Sequence, residues 1–279
     1  MDLDQQVAAL LPEGVQFTRT PKDAAAITLR HLATHSSGLQ RGLDHPVQKS
    51  NNSYTDFDRS MFYKALPRAE LTFRPGSDSA YSNLGYGLLA HCLELLTGRS
   101  FNDLIKEFIF VPEELLDTFV LDQGNADQLT RLASRYADSG RDRGRLEITE
   151  RLVGSGGLVS TPSDVARLGA FLLRARAGKE PLVPADSPLA RAVSYRNEPD
   201  GVVVSFGWDR GGTRIPNTED VQFPKKNGGR AGASAYLLLS AAGEGDFAVA
   251  VSLNLDVDSD EGTTAGGIAR EIMRGLLNK

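Results

Sequence analysis

Residues Phe247-Ala248-Val249-Ala250-Val251-Ser252-Leu253 are apolar at every position but one. So short an apolar run, without alternation, reads as a strand covered on both faces. Ala235 to Ser240 has the same character, and Val202 to Trp208 is a third strand-like run. A helix from about Thr264 to Leu277 follows, with Ile268, Ile272, Leu276 and Leu277 as its apolar face. Thr161-Pro162-Ser163-Asp164 starts another helix, with a capping threonine, proline at the first helical position and an acid at the third. Val165, Leu168, Phe171 and Leu172 mark its buried side. Strands joined by short polar turns and followed by a helix predict an antiparallel sheet flanked by helices.

The first half has a different pattern. Thr28 can cap a short helix through Leu29, Leu32 and Ala33, with Gly38 after its end. Leu84, Leu88, Leu89, Cys92, Leu95 and Leu96 share one helical face, and Gly98 sits where a terminating glycine belongs. Ser100 and Asp103 open a further helix with Leu104, Ile105, Phe108 and Ile109 on its face. Residues 40–58 and 209–222 read as loops. The expected division is a mainly helical region, 1–150, and a region of helix plus antiparallel sheet, 151–279. The fold class is therefore α/β of the α+β type.

The composition, 41% hydrophobic and 24% charged, is that of a globular protein, and the net charge of −5 with scattered basic residues gives no footprint for nucleic acid or an anionic membrane. No apolar run approaches the roughly 20 residues of a membrane span. Met1-Asp2-Leu3-Asp4 is acidic and unlike a secretory leader, so the chain as it stands is expected in the cytoplasm. A segment preceding Met1 would make a periplasmic or secreted location open.

Three blocks carry chemistry. The first is Ile27-Thr28-Leu29-Arg30-His31-Leu32-Ala33-Thr34-His35-Ser36-Ser37-Gly38-Leu39. The second is Arg74-Pro75-Gly76-Ser77-Asp78-Ser79-Ala80-Tyr81-Ser82-Asn83-Leu84-Gly85-Tyr86-Gly87. The third is Lys226-Asn227-Gly228-Gly229-Arg230-Ala231-Gly232. In this order they resemble the class C β-lactamase and penicillin-binding-protein family, which includes esterases and transesterases. Gly156 to Asp164 resembles a further block, and the similarity runs from about Leu3 to the C-terminus.

The resemblance implies a β-lactamase/DD-peptidase-like fold and an acyl-enzyme mechanism. A serine in Ser-x-x-Lys attacks a carbonyl, a Tyr-x-Asn element stands beside it, and a Lys-Thr-Gly-like strand supplies an oxyanion-hole N–H. Residue by residue, Tyr81 becomes the general acid or base. A phenol's ordinary pKa is about 10, so it needs nearby cations to work near neutrality. Asn83 can donate its amide to the substrate. Lys226 takes the first position of the third motif. Asn227 replaces the usual threonine and loses the hydroxyl that recognises a substrate carboxylate. Gly228 allows close approach, and the N–H of Gly229 is the candidate oxyanion donor. The partner expected is a small molecule or peptide with an acyl group, and no cofactor is implied.

One element of the pattern is missing: the chain contains no Ser-x-x-Lys. Ser60 and Lys64 are four apart rather than three, and no Gly-x-Ser-x-Gly offers a substitute. Leu3-Asp4-Gln5-Gln6-Val7 resembles the segment that follows the nucleophile helix in the family. The expectation is a chain that begins one helix too late and lacks the N-terminal strands. Its sheet would keep an unpaired edge and an uncovered apolar face, and would self-associate. Two rivals to a hydrolase follow: a non-catalytic, ligand-binding relative, and a fragment completed by a partner chain that supplies the serine helix.

Plainer readings stand beside these. Tyr81 can be a turn residue after Pro75-Gly76, and Lys226 a solvated lysine at a strand end. His31 and His35 have the i, i+4 spacing of a metal pair, but the resemblance makes them structural. Asp256, Asp258 and Asp260 imitate a calcium loop, yet Glu261 stands where that loop needs glycine and Gly267 where it needs glutamate. No metal site is expected. Cys92, on an apolar helix face, reads as core.

Overall fold

The computed structural model describes residues 2–15, 17, 26–42, 62–64, 66–121, 125–137, 139–145, 153–180, 196–197, 203–204, 206–208, 215, 223–230, 232–240, 245–255 and 264–278. The acidic run 256–260 and most of the two long loops lie outside them.

Helix α1 (Leu29–Ala33) begins as its sequence predicts. Thr28 Oγ1 accepts the His31 N–H, and His31 Nδ1 accepts the Thr28 N–H in return. The chain leaves the helix before Gly38: His35 already takes a left-handed φ of 57°. Gly38, at φ 74°, is needed for space, because a Cβ there would lie 2.2 Å from the Phe73 carbonyl oxygen. Helix α2 (Asn83–Thr97) ends on Gly98 in the left-handed conformation. Leu84, Leu88 and Cys92 are buried as the stripe predicts, with His91 beside them, and so is Ala90 on the far side. The helix is thus enclosed on most of its circumference. It anchors a core with Val7, Leu29, Leu32, Phe62 and Leu66, where each fully buried large side chain contributes roughly 1.5–3 kcal/mol.

Helix α3 (Phe101–Ile105) is capped by Ser100, then widens into a π turn over Lys106–Phe110. The wider turn shifts the register, so Leu104 and Phe110 are buried while Phe108 is 56% exposed. The expected face, with Phe108 in the core, is corrected accordingly. Strand β1 (Phe119–Val120) follows, then helices α4 (Ala126–Arg131) and α5 (Val153–Gly156). Strand β2 (Leu158–Val159) pairs antiparallel with β1. Helix α6 (Pro162–Arg176) has the predicted Thr161 cap. Its Asp164 carboxylate, nearly fully buried, turns instead to the Asp117 N–H and the Thr118 hydroxyl, both at 2.8 Å. A buried carboxylate needs such donors, and they fasten α6 to the chain before β1.

Strands β3 (Arg196–Asn197) and β4 (Val203–Val204) form a small pair. Of the run 202–208, only β4 is strand among the described residues, and Trp208 is a buried contact for Leu237 and Leu239. The main sheet is antiparallel, in the order β5 (Lys225–Arg230), β6 (Ala233–Leu239), β7 (Ala248–Leu253). Helix α7 (Ala265–Leu277) is capped by Thr264 and covers the face bearing Tyr236, Leu238 and Val249.

Two expectations change here. The residues α7 buries most deeply are Ala265, Gly266, Ala269 and Met273, while Ile272 is 45% exposed. Small residues are needed because a Cβ on Gly266 would come within 3.0 Å of the Tyr236 ring. The opposite sheet face is also covered. Helix α6 packs so closely that a Cβ on Gly169 would lie 2.7 Å from Ala248 Cβ, with Leu173 against Leu237 and Leu239. Among the described residues neither outer edge of this sheet, that of β5 or that of β7, has a strand partner.

Candidate active site

The first two sequence blocks are laced together by their backbones. Ala80 N–H donates to the His35 carbonyl, Gly76 N–H to Ser36, and the Asn83 and Leu84 N–H groups to Arg41. Ser82 ties the junction. Its Oγ caps α2 through the Gly85 N–H at 2.9 Å and donates to the Gln40 carbonyl at 2.8 Å. Its own N–H donates to His35 Nδ1 at 3.1 Å. Tyr81 and Asn83 are therefore held on either side of a buried serine, at the start of a long helix.

His35 supports Tyr81 from behind. Its ring centroid is 4.7 Å from that of Tyr81 and 4.6 Å from that of Tyr86, whose hydroxyl donates to the Ala33 carbonyl. Because Nδ1 accepts an N–H, the imidazole is neutral with its proton on Nε2. Burial, helped by the positive charge of Lys226, lowers its pKa to about 4. Burial likewise pushes the Tyr86 phenol well above its ordinary range.

The third block is strand β5. The Leu239 N–H bonds the Pro224 carbonyl at 3.0 Å, which sets the phase of the ladder. Residues 226, 228 and 230 then bond β6, while the N–H groups of Lys225, Asn227 and Gly229 point away from β6, toward an edge without a strand partner among the described residues. Side chains alternate as well. Lys226 faces Tyr81, its ammonium 4.7 Å from the ring centroid. Lys225 faces the other way, 5.8 Å from the Tyr236 ring. Asn227 stands opposite Tyr236 in the register, and Asn227, Gly228 and Gly229 are all exposed. A Cβ built on Gly228 or Gly229 meets no atom of the described residues within 4 Å, so the strand is uncrowded there.

The structure thus brings Tyr81 and Lys226 together, with Asn83 on the same turn as Tyr81 and the Gly229 N–H on the open strand edge. The sequence alone does not place two of the neighbours beside Tyr81. His35 was read with His31 as a spaced pair, but each ring instead accepts a backbone N–H, and the described residues hold no cluster of metal-ligating side chains. Arg41 fell within a stretch read as loop, yet its guanidinium carbon lies 5.2 Å from the Tyr81 ring centroid. Cys92 is core: burial pushes its thiol up to about 12. A separate buried group joins the Tyr63 hydroxyl to His91 Nε2 at 2.6 Å, with Glu94 beyond.

Residues 1–272 match the family model described as Beta-lactamase. The chain belongs to the beta-lactamase family. Among curated members it is 34% identical over 142 residues to the D-alanyl-D-alanine-carboxypeptidase/endopeptidase AmpH of Escherichia coli K12, which is 50% of this chain and 35% of that protein. It is 26% identical over 147 residues to the teichoic acid D-alanine hydrolase of Staphylococcus aureus, 53% of this chain and again 35% of the relative. The matches therefore span about a third of those proteins' length. The crystal structure of a beta-lactamase/D-alanine carboxypeptidase from Yersinia pestis superposes with a TM-score of 0.74 at 23% identity, over 100% of this chain and 77% of that one. That likeness establishes the fold, helices around an antiparallel sheet. No helix among the described residues is long and apolar enough to cross a membrane.

Proposed function

We propose that this chain carries the base-bearing and oxyanion-binding walls of a serine acyl hydrolase, and that its ligand is an ester or amide of D-alanine, the moiety that the names of both curated relatives contain. The observation that carries the reading is the Tyr81–Lys226 pair, 4.7 Å from ammonium to ring, beside the outward Gly229 N–H. With a serine presented to this cleft, Tyr81 would receive the hydroxyl proton as Oγ bonds the substrate carbonyl carbon. The positive charge of Lys226 would favour the negative charge on the phenol oxygen. The Gly229 N–H would stabilise the oxyanion. Collapse expels the leaving group, which takes a proton, and water then releases the acyl group.

The serine is the part this sequence does not contain as Ser-x-x-Lys. We propose that a preceding segment supplies it. The second reading, a ligand-binding relative without catalysis, is favoured by that same absence, and the third by a separate polypeptide carrying the helix. The reading frame upstream of Met1 separates them: an in-frame Ser-x-x-Lys supports the first, a neighbouring short gene the third, and neither supports the second.

In a chain joined to such a segment, Tyr81→Phe is expected to lower kcat by about 10²-fold or more while leaving stability nearly unchanged. Turnover within a few-fold of the parent would remove Tyr81 from the proton path. The outer edge of β7 leads to a further expectation: the chain alone self-associates through Ala248–Leu253. Size-exclusion chromatography with light scattering reads this directly, and a monomer at all concentrations would refute it.

A further inference from the structure

We infer that Arg41 is a specificity-determining residue that pairs with a carboxylate on the ligand. The inference rests on the acyl-ligand reading above and names one feature of that ligand. Arg41 is held in place by its own main chain. Its carbonyl accepts the Asn83 N–H at 2.9 Å and the Leu84 N–H at 3.2 Å. Its neighbour Gln40 is fixed by four more bonds: its N–H donates to the Glu70 carbonyl, its carbonyl accepts the Ser82 hydroxyl, Oε1 accepts the Glu70 N–H, and Nε2 donates to the Gly42 carbonyl. An arginine on so well-anchored a backbone is placed to recognise a planar anion with little loss of freedom.

Among the described residues the side chain has an aromatic neighbour but no anionic one. It is exposed, lies over the Tyr81 ring, and makes no ion pair with a carboxylate among the described residues. Lys226 approaches the same ring, 4.7 Å from its centroid against 5.2 Å for the guanidinium. Two cations are therefore gathered around one tyrosine in a protein of net charge −5. An anion bound beside that ring would be attracted by both charges. A ligand held at Tyr81 could present such an anion to the exposed Arg41 guanidinium beside it. A carboxylate matches the guanidinium fork in two parallel hydrogen bonds. Arg41 would also supply the recognition that the hydroxyl of a threonine at position 227 would otherwise give.

The test is calorimetric titration of the full chain with N-acetyl-D-alanyl-D-alanine and with its C-terminal amide. The parent is expected to prefer the acid by about tenfold, the range for one charge-assisted pair at a partly solvated site. Arg41→Gln should bring the two affinities to within about twofold of each other, and Arg41→Lys should restore part of the preference. Equal binding of acid and amide by the parent would overturn the inference while leaving the acyl-ligand reading intact. So would a preference that survives Arg41→Gln or is lost only in Lys226→Gln. Binding of neither probe would overturn both.

Discussion

A fluorophosphonate probe in excess is expected to leave the intact mass of the 279-residue chain unchanged. A covalent adduct needs a serine whose hydroxyl is exposed, aimed into the cleft and close to a base. Among the described residues, the serines around Tyr81 are committed elsewhere. Ser82 is 1% exposed, and its oxygen both donates to Gln40 and accepts from Gly85. Ser36 is buried against the Thr34 hydroxyl at 2.8 Å, and Ser37 is buried beneath Leu39. Ser77 donates to the Arg74 carbonyl and Ser79 to that of Thr34. Walls that stabilise an oxyanion and accept a proton cannot form an acyl-enzyme on their own. The same chain joined to a Ser-x-x-Lys segment is expected to label stoichiometrically. A full-occupancy adduct on the unextended chain would defeat the proposal, and peptide mapping would name the serine responsible.

The second large effect is on stability in acid. His35 is neutral in the folded protein with a pKa of about 4, against an ordinary value of 6.5. As pH falls through 6.5 the unfolded chain takes up a proton that the folded chain refuses until about 4. Stability is therefore fully present above the unfolded value and is lost across that window. The limiting loss is about 3 kcal/mol for this one residue. Protonation also breaks the bond from the Ser82 N–H, which fixes the backbone between Tyr81 and Asn83. His35→Asn removes the titration, tolerates the left-handed backbone at φ 57°, and retains an acceptor. Urea unfolding at pH 7, 5.5 and 4.5 is expected to give a shallower pH slope for the variant than for the parent. Parallel slopes would show that His35 is not the group responsible. Carboxylates and His31, whose pKa burial also lowers, titrate in both proteins and cancel in the comparison.

Much of this architecture is legible locally. Thr28, Ser100 and Thr161 cap helices because a hydroxyl satisfies an orphan N–H at the helix start whatever packs around it. Gly98 ends α2 because its left-handed backbone carries no steric cost there. The apolar runs become β6 and β7 because nothing else buries so many consecutive apolar side chains in so few residues. The order of the motif blocks groups Tyr81, Asn83 and Lys226 from the sequence alone.

Other features exist only in three dimensions. Lys225-Lys226-Asn227-Gly228-Gly229-Arg230 has no strand propensity of its own; it is a strand because β6 offers it a ladder. Which face of α7 meets the sheet was decided by the Tyr236 ring, which demands Gly266 beneath it and turns Ile272 outward. Asp164 left its capping pattern because two donors from the chain before β1 outbid the helix end. Arg41 and His35 meet Tyr81 only because the first two blocks lie against each other, across about forty residues of chain. Capping, turns and apolar periodicity depend on neighbours a few residues apart, so a linear sequence determines them. Electrostatic partners and close approaches depend on distances that only the packed chain sets, and those were decided by the tertiary structure.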